Sequence, residues 1–88
     1  MVNLPFEEKE SGESYSIRIF KSDVESEELK WHRDREDRIV ESLEETDWMI
    51  QLDNELPRQI KGMIKIPSGV WHRVIKGSGD LKIRIDKL

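Results

Sequence analysis

The chain has 88 residues and a formal net charge of −4, with 39% charged and 35% hydrophobic residues. That length implies one domain, and its apolar runs are only two or three residues long, as in Trp48-Met49-Ile50, far short of the roughly 20 that a membrane-spanning helix needs. Net acidity argues against a phosphate backbone as ligand, so neither membrane nor nucleic acid is an expected partner.

Taken in chain order, residues 1–14 are polar and acidic, with Pro5 and Gly12, and predict a flexible arm pinned by Leu4 and Phe6, ahead of a domain over 15–88. This start is acidic rather than apolar, so no secretory leader is expected. With no cysteine in the chain, a disulfide scaffold, a thiol nucleophile and a cysteine zinc site are excluded, and the cytoplasm is the expected location.

From Tyr15 the hydrophobic pattern has period two, the mark of a strand. Tyr15, Ile17 and Ile19 alternate with Ser16 and Arg18. The alternation predicts a second strand over 28–34, with Leu29, Trp31 and Arg33 on one face and Lys30, His32 and Asp34 on the other. Further strands follow over 37–44, 47–52, 57–60 and 63–66. After the Pro67-Ser68-Gly69 turn come strands over 70–76 and 81–85. A helix is the competing prediction between Asp23 and Asp47, a segment rich in Glu, Leu and Arg. However, Leu29, Ile39, Val40 and Leu43 do not keep helical spacing. Seven or eight short strands with Gly, Pro or Asp turns predict a small all-β sandwich or barrel.

The only two histidines each sit in a Trp-His-Arg triplet, Trp31-His32-Arg33 and Trp71-His72-Arg73, whose flanks do not match. Alternation puts Asp34 on the face of His32, and His72 on the face of Val70 and Val74. Two imidazoles and a carboxylate on one side, with positions left open, suit a divalent metal such as iron(II). A histidine between valines also suits a neutral core group hydrogen-bonded to a carboxylate such as Asp34. Trp31 and Trp71 face away from their histidines, as a dimer interface or a second small core.

The stretch from Gly62 through Pro67-Ser68-Gly69 to His72 resembles the second signature of the cupins, and His32-Arg33-Asp34 through Arg38 resembles a degraded first signature. The resemblance implies a double-stranded β-helix barrel, often dimeric, with a metal held by histidines at the positions of His32 and His72. Asp34 stands where the family has a second histidine and Arg38 where it has a glutamate. Glu45 replaces a glycine and Lys76 an asparagine. With the parity of His32 and Asp34, Arg38 points inward, either to pair with Asp34 or to grip an anion.

The leading expectation is therefore a small cupin-like homodimer. It binds iron, manganese, nickel or zinc through His32, Asp34 and His72, and a small anionic molecule through Arg38, with Trp31 and Trp71 at the interface. The alternative is a metal-free, non-catalytic binding or oligomerisation module. A third reading, an iron(II)/2-oxoglutarate oxygenase, needs an inward Arg84 or Lys82, and alternation against Ile83 and Ile85 turns both outward.

Overall fold

The computed structural model describes residues 4–88. It contains eight antiparallel strands: β1 (Glu7–Ser11), β2 (Tyr15–Phe20), β3 (Arg38–Ser42), β4 (Met49–Leu52), β5 (Arg58–Gln59), β6 (Met63–Ile66), β7 (His72–Ile75) and β8 (Leu81–Lys87). One sheet has the order β1-β2-β8-β3-β6 and the other β5-β4-β7. Among the described residues, no helix is long and apolar enough to cross a membrane.

The sheets enclose one core because alternation aims one face of each strand inward. Ile50 and Leu52 of β4, Ile64 and Ile66 of β6, and Leu81, Ile83 and Ile85 of β8 are buried together with Phe20 and Val40. Trp48 and Leu81 are fully buried, and the Trp48 indole N–H donates to the Gly79 carbonyl at 3.0 Å, so its one polar atom is satisfied.

Two expectations are corrected. The arm expected over 1–14 contains β1, which pairs with β2 from Glu7↔Ile19 to Ser11↔Ser16; residues 1–3 lie outside the described residues. The segment escapes pattern reading because it is an edge strand exposed throughout, held by backbone hydrogen bonds that leave no hydrophobic trace. Its charges and the register shift between Glu8 and Glu10 also discourage pairing with another chain. Leu4 is exposed, whereas Phe6 packs on Phe20 with ring centroids 5.3 Å apart. Residues 28–34 are not a strand: a 3-10 turn occupies Ser26–Glu28, and only a single bridge, His32↔His72, joins the segment to β7.

The inner face of β2 is the one that carries Ser16, Arg18 and Phe20. Ser16 and Phe20 are buried and Arg18 is half-buried on that face, while Tyr15 and Ile19 are partly covered on the other.

Candidate metal centre

His32 and His72 exchange both backbone hydrogen bonds, at 2.9 and 2.8 Å. Directly opposed residues in an antiparallel pair project to the same side, so both rings line one cavity with centroids 4.2 Å apart and planes at 63°, His72 buried and His32 exposed. The flanking residues project outward for the same reason. The Arg33 guanidinium lies 5.0 Å from the Trp71 ring and the Arg73 guanidinium 4.9 Å from the Trp31 ring. The repeated triplet is thus two antiparallel copies laid across each other, histidine to histidine inside and arginine to tryptophan outside.

Asp34 returns to the histidine face two residues on and is held there by the β6–β7 turn. The Gly69 N–H donates to the Asp34 carbonyl at 2.8 Å, the Ser68 N–H to Asp37 Oδ1 at 2.7 Å, and the Ser68 hydroxyl to the Arg35 carbonyl at 2.6 Å. Gly69 has φ of 78°, which glycine adopts without strain. The Pro-Ser-Gly turn therefore sets the place of the carboxylate as well as the direction of β7.

Ligand atoms of His32, Asp34 and His72 lie within 4.8 Å of one another. Each Nδ1 faces a carbonyl oxygen, that of Lys30 at 3.2 Å for His32 and that of Val70 at 2.9 Å for His72. A carbonyl only accepts, so both Nδ1 atoms carry a proton, which leaves Nε2 of each ring as the nitrogen able to coordinate. Burial, reinforced by His32 and Arg38, pushes the His72 pKa below its ordinary value despite the opposing pull of the Val70 carbonyl and Asp34, so His72 is neutral at pH 7. Asp34 Oδ2 is buried 3.4 Å from His72 Nε2, yet makes no hydrogen bond. A buried carboxylate oxygen without a donor beside imidazole lone pairs is the chemistry a divalent cation satisfies. The residues fit such an ion.

The site opens into a cavity of about 370 Å³ with largely apolar walls, among them Phe20, Ile50 and Ile83. Arg38 lines it, as its parity predicts, but its charge is engaged: Nε and Nη2 donate to Glu36 Oε1 at 3.2 and 2.8 Å, and Nη2 lies 3.4 Å from Asp34 Oδ1. Glu36 is its main partner. Arg18, which alternates with the apolar residues of its strand, lines the same cavity. The available signal was its shared parity with Phe20. Arg84 lies over the Tyr15 ring at 4.5 Å and binds Asp86 through Nη2 at 3.1 Å. Neither Arg84 nor Lys82 lines the cavity, so the oxygenase reading does not find there the basic residue it needs.

A cupin-2 domain protein from Shewanella frigidimarina superposes with a TM-score of 0.60 at 24% identity, over 91% of this chain and 76% of that one. A cupin domain from Bordetella pertussis does so with a TM-score of 0.60 at 18% identity, over 94% and 91%. The fold is that of a small cupin. Fe(II)-HppE, solved with the alternative substrate (S)-1-HPP, also superposes, with a TM-score of 0.63 at 17% identity over 84% of this chain and 41% of that one. No family model and no curated protein matches the sequence.

Proposed function

We propose that this cupin-fold protein holds one divalent metal through His32, Asp34 and His72 and takes a small anionic molecule into the adjoining cavity. The observation that carries the reading is the donor set: two Nε2 lone pairs made available by Nδ1–carbonyl contacts, facing a buried Asp34 oxygen that has no hydrogen bond. Iron, manganese, nickel and zinc all accept such nitrogen and oxygen donors, and the Fe(II) named for HppE supports iron among them. Bound there, the ion supplies Lewis acidity and coordination positions open to a ligand. The chain's own residues hold the donors in place and surround the ligand with apolar walls. Arg38, 3.4 Å from Asp34 Oδ1, holds the carboxylate oriented toward the histidines.

The test is metal content by mass spectrometry on untagged protein after dialysis against each of the four ions. The reading expects near-stoichiometric metal in at least one case, lost in His32→Ala. No retained metal in any case overturns it.

A second reading has its own observation. Asp34 lies 3.4 Å from both His72 Nε2 and Arg38 Nη2, which also describes a buried polar cluster in a metal-free binding or oligomerisation module. Trp31 and Trp71, 40% and 42% exposed, support contact with a second copy in either reading. Sedimentation of the wild type against Trp31→Ala tests that contact, and an unchanged monomer in both removes it.

A further inference from the structure

We propose that Arg18 is the anion seat of the cavity, and that its ligand is a short-chain carboxylate whose head rests on the Arg18 guanidinium and whose aliphatic body lies among Phe20, Ile50 and Ile83. This rests on the reading above in placing the ligand in the same cavity.

Three observations single out Arg18. It projects from the inner face of β2 into the cavity, and its Nε is buried without a hydrogen-bond partner. Among the described residues, no carboxylate lies within ion-pair distance of it, whereas Arg38 has both Glu36 and Asp34. Its close neighbour is the Phe6 ring, 4.3 Å from Cζ. That cation–π contact favours the charge but satisfies none of the five N–H donors.

The electrostatics point the same way. Burial first and Arg38 second work against the Arg18 charge, while Glu8, its cross-strand partner, and Asp34 attract it from beyond ion-pair distance. Arginine stays protonated under such pressure, so the cavity holds a cation whose partner an incoming anion supplies. The class of anion follows from the surroundings. Arg38 is already neutralised by its two carboxylates, leaving one guanidinium, which matches a monoanion better than a phosphate dianion. A planar carboxylate fits the guanidinium fork. Apolar walls and a volume of about 370 Å³ suit a chain of a few carbons.

The experiment is calorimetric titration of metal-free and zinc-loaded protein with hexanoate and with neutral hexanamide, using wild type, Arg18→Met and, as a control on the outer face, Arg84→Met. Hexanoate is expected to bind the wild type and Arg84→Met alike, to bind at least tenfold more weakly to Arg18→Met, and to outcompete hexanamide. Independently of whether the variant folds, the Arg18 Nε–H resonance of the wild type is expected to shift on adding hexanoate. Equal affinity in wild type and Arg18→Met, no saturable binding, or an unmoved Arg18 resonance overturns the proposal. Metal content is read separately. Arg18-dependent hexanoate binding without any metal upholds this inference while the metal reading fails. Retained metal with Arg18-independent binding does the reverse.

Discussion

His32 and His72 lie directly opposite each other across a two-hydrogen-bond backbone pair, and their rings meet at the cavity wall with centroids 4.2 Å apart. They differ in cover: His72 is 4% exposed and His32 is exposed. His72→Ala is therefore expected to cost about 1–3 kcal/mol of stability, as usual for a buried deletion, and His32→Ala about 0.5 kcal/mol or less. Metal affinity is expected to fall in both by more than the ~10–100-fold typical of changes around ligands. Denaturation and metal titration of the two variants check this. Unchanged metal affinity in the milder His32→Ala contradicts it.

Arg38 separates the two readings of the site. Arg38→Met strips Asp34 and Glu36 of their cationic partner, and loss of such charged hydrogen bonds costs about 1.5–3 kcal/mol in the metal-free protein. Removing a positive charge beside Asp34 also favours a dication there. The metal reading expects lower stability together with tighter metal binding. A variant that is less stable and has no metal affinity supports the polar-cluster reading.

On the outer face, the Arg33–Trp71 and Arg73–Trp31 pairs sit astride the histidine pair. A double-mutant cycle on Arg33 and Trp71 is expected to give a coupling of about 0.5–1 kcal/mol, the range for exposed cation–π contacts. Thermal or urea melts of the four proteins supply it, and strict additivity contradicts the pairing.

Asp47 carries a pH dependence remote from the metal centre. Its side chain accepts the Ser78 hydroxyl at 2.7 Å and the Ser78 N–H at 2.9 Å, and these bonds hold its carboxyl below the usual aspartate value. A folded pKa below the unfolded one means that this stabilisation is full above the unfolded value, about 3.9, and is lost as pH falls through the folded value. The Tm gap between wild type and Asp47→Ala is expected to be constant above about pH 5 and to narrow in acid. A gap unchanged down to pH 2.5 contradicts the assignment.

The parts of the molecule legible in the sequence are those where burial follows alternation. Ile50 and Leu52, Ile64 and Ile66, and Leu81, Ile83 and Ile85 mark their strands because one face of each meets the core. The inward aim of His32, Asp34 and His72 follows from extended-chain parity, which holds for residues 32–34 even though one bridge, and no strand, ties them to β7. β1 left no trace because both its faces are exposed. The Ser68 and Gly69 contacts that place Asp34 join residues over thirty positions apart, beyond any local pattern. Arg18 was hard to read for a different reason. A charged residue on a strand reads as outward-facing, whereas Arg18 shares the inner face of β2 with Phe20 and lines the cavity.

The most direct test of the metal centre is the imidazole nitrogen spectrum of the protein during titration with zinc(II), a diamagnetic ion that histidine nitrogen binds readily. The chain has only two histidines, so each resonance is traceable. The account expects both Nε2 resonances to move together to an end point of one zinc per chain, with both Nδ1 atoms still protonated against the Lys30 and Val70 carbonyls. Nε2 resonances unmoved by zinc, or coordination through Nδ1, would contradict it.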